Sequence, residues 1–144
     1  SLECEVSDAV AAYVQHILTE EDGPKVYVRL PREWLPPSCK RFRDPCFLML
    51  RPLYGHPAAG RIWESHLNQI ILGQSFKNSD GSISKWSPVS GFPNTWTMTM
   101  PDCLPSVLTV YVDDFVLVSP KAASIWTNSG SRSNFWSLRQ SRRF

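Results

Sequence analysis

Alternating apolar and polar positions predict short strands in the first third of the chain. The earliest alternation, at Leu2, Cys4 and Val6, has the period of a strand. Ser7-Asp8 then offers an N-cap for the apolar segment AVAAYVQHIL, which favours a helix. Beyond a Gly-Pro turn, VYVRL (residues 26–30) and FLML (residues 47–50) are typical of strands, with the Pro-rich loop PREWLPPS between them.

The second half of the chain changes from a helical to a strand period. Apolar residues at helical spacing follow Pro57, and Gly73 stands at a position suited to a helix end. The polar stretch 74–93 predicts a long loop, and TWTMTM (residues 95–100) predicts a strand. VLTVYV (residues 107–112) and FVLVS (residues 115–119) then predict a hairpin with Asp113 and Asp114 at its tip. This mixture favours an α+β or α/β domain over an all-α one.

Cysteine spacing and the length of the apolar runs argue against a zinc-binding protein and a membrane-spanning protein. The 144 residues suffice for one domain, and the four cysteines show no CxxC pair or zinc-ligand spacing, which favours scattered reduced thiols. No apolar run reaches membrane-spanning length, and the absence of an initial Met indicates a piece of a longer protein. Residues 121–144 carry five basic and no acidic side chains, whereas residues 1–120 carry ten basic and thirteen acidic ones. We therefore expect a folded domain over residues 1–120 and a basic, Ser/Arg-rich, disordered tail over residues 121–144.

Two adjacent carboxylates interrupt the most apolar part of the sequence. Asp113 and Asp114 lie between two Val- and Leu-rich runs, where an unpaired charge is costly. An ordinary Asp-rich β-turn is one interpretation, because Asp is a favoured turn residue. The preceding Tyr-Val and the two apolar strands favour a second one, a site that needs both carboxylates.

Four segments carry a resemblance to a known family. YVDD (residues 111–114) resembles the Tyr-x-Asp-Asp motif of reverse transcriptases, and SDAVAAYVQ (residues 7–15) is similar to their first motif, D-x-x-x-A-Y/F. VYVRLPREW (residues 26–34) resembles the next segment of copia-type enzymes, and LYGHPAAGRIWESHL (residues 53–67) resembles their LYGLKQAPRLWYEHL. The segments follow the family's order, so the chain resembles a fragment of a copia-type LTR retrotransposon reverse transcriptase. That enzyme is the RNA-directed DNA polymerase domain of a Pol polyprotein.

The resemblance implies an α+β palm, an antiparallel sheet backed by helices, with part of the fingers. Asp8, Asp113 and Asp114 would be the catalytic and metal-binding residues for two Mg²⁺ ions, with Mn²⁺ as a possible substitute. The partners would be deoxynucleoside triphosphates and a primer on an RNA or DNA template. After Pro120 there is no counterpart of the thumb or ribonuclease H domains.

Each assignment from the family has an alternative. Asp8 also fits an N-cap, and Glu5 is a rival for the first motif, although the spacing to Ala12 and Tyr13 favours Asp8. Tyr13 would lie under the incoming sugar and exclude a 2′-hydroxyl, but it also fits a core aromatic. Ala58 stands at the nucleotide-pocket position where the family has Gln, and Gly60 stands where it has Pro.

The basic cluster and the chain as a whole also have alternatives. Lys40, Arg41 and Arg43 would contact nucleic-acid phosphates, or they form a solvated loop. Because the Gln is missing, an inactive relic of a retroelement is the alternative to the polymerase. A non-catalytic nucleic-acid-binding module, suggested only by the basic tail, is a third possibility.

Overall fold

A computed structural model describes residues 2–130 and 142–143. The two helices of that part are α1 (Ala59–Gly73) and α2 (Ala122–Gly130). Its strands are β1 (Glu3–Asp8), β2 (Tyr27–Arg29), β3 (Cys46–Leu48), β4 (Ser75–Lys77), β5 (Ile83–Lys85), β6 (Ser87–Pro88), β7 (Thr95–Met98), β8 (Ser106–Tyr111), β9 (Asp114–Ser119) and β10 (Arg142–Arg143). Short 3₁₀ turns occupy Ala12–Gln15, Glu20–Asp22, Arg32–Trp34 and Pro37–Cys39. The fold is α+β, as the sequence predicts.

The chain divides into two compact units. The sheet unit consists of Ser1–Ala12 with Trp63–Phe144, and the central unit consists of Tyr13–Ile62. In the sheet unit, six strands pair antiparallel in the order β10-β1-β9-β8-β7-β6. Strands β4 and β5 form a separate hairpin of the sheet unit, and β2 pairs with β3 in the central unit.

Alternation along the strands gives the main sheet one buried face. In β8 the side chains of Ser106, Leu108 and Val110 are buried, and in β9 those of Phe115, Leu117 and Ser119. Helix α2 covers part of this face, where the rings of Phe115 and Trp126 meet edge to face with centroids 6.4 Å apart. Helix α1 is joined to the same face by a hydrogen bond from the indole N–H of Trp96 to the Asn68 side-chain oxygen, 3.1 Å long. The intervening positions form the opposite, more open face.

The predicted helix over AVAAYVQHIL is wrong. Strand β1 continues through Asp8, and only Ala12–Gln15 form a 3₁₀ turn. The ladder with β9 engages Ser7 and Asp8, and Ala11 has a positive φ of 53°, which interrupts right-handed helical geometry. Asp8 is therefore a strand residue, and its N-cap interpretation is wrong as well.

Two further segments differ from expectation. The predicted loop 74–93 contains β4, β5 and β6, because Phe76 and Trp86 bury their rings against each other across the hairpin, with centroids 6.3 Å apart. Within the tail expected to be disordered, Ala122–Gly130 form α2, since Ala122, Ile125 and Trp126 recur at helical spacing and are buried. Strand β10 lies in the same tail and pairs with β1. Residues 131–141 and 144 lie outside the described residues.

Candidate active site

The β8–β9 hairpin presents the two adjacent aspartates as the sequence predicts. Tyr111 pairs with Asp114 as the last rung of the ladder, so Val112 and Asp113 form a two-residue connection. Val112 has a positive φ of 58°, a conformation that β-branched residues rarely adopt. A tight turn is thus enforced at a residue poorly suited to it, and such strain is frequent at functional sites.

The end of β1 brings the third aspartate to this hairpin. In the antiparallel register of β1 and β9, Asp8 lies directly opposite Asp114. Immediately beyond, the backbone N–H of Ala9 donates a 2.7 Å hydrogen bond to the carbonyl of Asp113. Asp8 and Asp114, which are 106 positions apart in the chain, are thereby fixed side by side through backbone contacts.

The three carboxylates form one cluster. Asp8, Asp113 and Asp114 each offer an oxygen, and these oxygens lie within 4.8 Å of one another. Asp114 is exposed, and the other two are half-buried. Like charges directly opposite each other in a sheet are destabilising, so the arrangement lowers stability unless a cation neutralises it.

The register decides between Asp8 and its rival Glu5. The two residues are three positions apart on β1, so their side chains lie on opposite faces of the sheet. Glu5 is 3% exposed and lies on the buried face, whereas Asp8 shares the open face with Asp114. Asp8 therefore belongs to the carboxylate cluster and Glu5 does not.

A tryptophan of the segment 53–67 contacts this turn. Trp63, near the start of α1, is 2% exposed and donates its indole N–H to the carbonyl of Val112. A helix-face Trp is usually a core residue, and Trp63 is that too. Because the spacing of a sequence does not tell which backbone carbonyl a buried indole reaches, this link could not be predicted.

The residues assigned to nucleotide binding, Tyr13 and Ala58, lie in the central unit. The ring of Tyr13 meets that of Tyr54 at 66°, with centroids 4.8 Å apart. Ala58 donates its backbone N–H to Nδ1 of His56 over 3.2 Å and lines a mostly apolar cavity of about 320 Å³. Their roles toward a nucleotide stay predictions.

In the central unit, the Asp22 carboxylate has two partners that lower its pKa. Its carboxylate lies 2.9 Å from Nε2 of His16 and accepts the backbone N–H of Thr19 over 2.7 Å. These two contacts, the histidine first, lower the pKa of Asp22 to about 2. The guanidinium of Arg61 also donates to the Asp22 backbone carbonyl, 3.2 Å away. Asp22 is thus the local partner of His16 in the structure.

The basic cluster follows the 3₁₀ turn Pro37–Cys39 of the central unit. Lys40, Arg41 and Arg43 are exposed, and the guanidinium carbon of Arg41 lies 4.9 Å from the centroid of the Phe42 ring. Exposed cations near an aromatic ring fit contact with a phosphate backbone, and they equally fit a solvated loop. Contact with nucleic acid stays a prediction.

In comparisons with known proteins, no family model, curated protein or solved structure matches the chain. Across residues 2–130 and 142–143, no helix has both the length and the apolar character needed to cross a membrane.

Proposed function

We propose that the chain is the palm, with part of the fingers, of a copia-type reverse transcriptase, an RNA-directed DNA polymerase. The observation that carries this proposal is the meeting of Asp8 with Asp113 and Asp114 at one rim of an antiparallel sheet. Both segments resemble polymerase motifs, and that resemblance predicts that their aspartates meet at one site. Helices α1 and α2 behind the sheet agree with the palm architecture.

The donor set fits Mg²⁺ or Mn²⁺. It consists of carboxylate oxygens alone, which are the ligands that these hard cations prefer. Asp8 and Asp113 would hold the ions directly, and Asp114 would add negative charge beside them. When bound, two such ions supply charge stabilisation for the attacking and leaving oxygens of nucleotidyl transfer.

The protein's own contribution is position. The backbone bonds between β1 and the hairpin hold the carboxylates at a rim that the open face of the sheet leaves accessible. A primer 3′-hydroxyl and the α-phosphate of a deoxynucleoside triphosphate would have to be aligned there, because phosphoryl transfer depends mainly on positioning and electrostatics. Tyr13 would exclude a 2′-hydroxyl, and Lys40, Arg41 and Arg43 would contact phosphates in a salt-dependent manner.

The test is Mn²⁺ binding by the 144-residue chain, followed by electron paramagnetic resonance. Wild-type protein should bind Mn²⁺, and Asp113→Asn should lose that binding. Asp102→Asn is the matched control, since it removes one exposed carboxylate from the β7–β8 connection, at the far end of β8 from the cluster. Absence of binding in the wild type, or equal binding in both variants, would contradict the proposal.

Primer extension tests the alternative that the chain is an inactive relic. The absence of the family's Gln at Ala58 favours the relic. On a primed RNA template with Mg²⁺, we expect extension by this chain alone to be absent or barely measurable, because no segment of it resembles a thumb that would grip the duplex. Extension that disappears in Asp113→Asn would refute the relic, whereas metal binding without any extension would leave the site intact and the chain insufficient.

A further inference from the structure

The turn that carries Asp113 and Asp114 is held from two sides. From the sheet, the N–H of Ala9 bonds to the carbonyl of Asp113. From helix α1, the indole N–H of Trp63 bonds to the carbonyl of Val112. The two bonds involve successive carbonyls of the connection, so together they restrict its orientation.

The helical support is rigid because Trp63 is part of a buried stripe. Trp63, Leu67 and Ile71 follow one another at four-residue spacing on α1 and are all at most 2% exposed. A helix packed along such a stripe cannot shift without losing core contacts. An N–H donor fixed on it therefore has a defined position relative to the hairpin.

Val112 needs this support. Its positive φ is unfavourable for a β-branched residue, and such a conformation persists only where surrounding contacts impose it. The bond from Trp63 acts on the carbonyl of this same residue, immediately before Asp113. Phenylalanine in place of Trp63 would fill most of the same space but would leave that carbonyl without the indole donor.

We infer that Trp63 is a positioning residue for the carboxylate cluster: its indole N–H fixes the Val112 peptide and thereby the direction of Asp113. This inference rests on the proposed function for the identity of the ions. Trp63 acts through the backbone of the turn, by its bond to the Val112 carbonyl. Partners that orient metal ligands typically contribute tenfold or more to metal affinity.

The experiment compares Trp63→Phe with Trp96→Phe. Trp96 is a matched control, since it is also a buried tryptophan of the sheet unit, 3% exposed, whose indole N–H has a protein acceptor, the Asn68 side chain. Two quantities are measured: the Kd for Mn²⁺, and hydrogen exchange of the backbone amides of residues 111–115. If Trp63→Phe does not fold, a benzothienylalanine at position 63 removes the N–H while keeping the bicyclic shape.

Loss of the Trp63 donor should raise the Kd for Mn²⁺ about tenfold and accelerate exchange at the turn, while Trp96→Phe changes neither. Equal behaviour of the two variants would overturn the inference. Faster exchange with an unchanged Kd would also overturn it, because the turn would then not direct the ligands. If the wild type binds no Mn²⁺, the proposed function fails. Independently of metal binding, unchanged hydrogen exchange in Trp63→Phe would refute the inference that the Trp63 bond restricts the turn.

Discussion

Replacing Asp8 by Asn should stabilise the metal-free protein. Asp8 lies opposite Asp114 and within 4.8 Å, oxygen to oxygen, of both carboxylates of the hairpin. Two unit charges at that distance repel by about 1 kcal/mol in water and by roughly 3–4 kcal/mol at an effective dielectric constant of 20. Because Asp114 is exposed and the other two are half-buried, the lower value applies to each pair. Removing two repulsions should therefore raise the free energy of unfolding by about 1–2 kcal/mol.

The same substitution should have the opposite effect when a divalent cation is present. A ligand at 100 times its Kd stabilises the folded state by about 2.7 kcal/mol, which exceeds the repulsion between the carboxylates. In excess Mg²⁺ the wild type should therefore be the more stable protein, and in EDTA the Asp8→Asn variant should be. Urea denaturation at pH 7 under both conditions measures the reversal, and Asp102→Asn should follow the wild type.

The same order of stability of wild type and Asp8→Asn in EDTA and in Mg²⁺ would contradict the expected reversal. If Asp8→Asn were less stable than the wild type in EDTA, Asp8 would be making a favourable contact that the cluster geometry does not include. If the variant were more stable in EDTA and equally stabilised by Mg²⁺, the repulsion would be real but the cation would bind elsewhere.

Three further changes test the scaffold around the site. Ser119→Ala should cost about 1–3 kcal/mol in urea denaturation, because it strands the buried Ser106 hydroxyl that lies 2.7 Å from Ser119 Oγ; adding Ser106→Ala should recover part of that loss. Asp22 has a folded pKa of about 2 against an ordinary 3.8. Ionised Asp22 should therefore stabilise the folded state by about 1 kcal/mol after solvent screening. This effect should be complete above about pH 4 and should disappear progressively as the pH falls through 2. In acid denaturation, the free energies of unfolding of wild type and Asp22→Asn should become equal only near pH 2. Val112→Gly should raise the free energy of unfolding by about 1 kcal/mol, because glycine adopts a positive φ without strain. A lower urea midpoint for this variant would show that the valine side chain makes a stabilising contact.

Two apolar runs made the β8–β9 hairpin predictable. VLTVYV and FVLVS are rich in β-branched and aromatic residues, and two turn-forming aspartates separate them, so the hairpin and its aspartates follow from the sequence. The pairing of β1 with β9 does not follow from local pattern, because it joins the two ends of the folded region. The family resemblance predicted that Asp8 would reach the hairpin, and the register provides the geometry.

The failures have a common physical origin. AVAAYVQHIL has the composition of a helix, but tertiary pairing extends β1 through Asp8 and the positive φ of Ala11 ends any helical geometry. The segment 74–93 is polar overall, yet the two aromatic residues Phe76 and Trp86 suffice to close a hairpin. Local propensity is a weak prior that long-range burial overrides. The bond from Trp63 to the turn depends on the same long-range packing.

Nuclear magnetic resonance of the aspartate carboxyls locates the bound cation most directly. In protein labelled with ¹³C at the aspartate side-chain carboxyls, substoichiometric Mn²⁺ broadens the signals nearest to the ion, and Asp→Asn variants assign them. Asp8, Asp113 and Asp114 should broaden first and together, while Asp102, at the far end of β8, stays sharp. Broadening centred on Asp22 or Asp102, or no selective broadening at all, would contradict a metal-binding carboxylate cluster at the rim of the sheet.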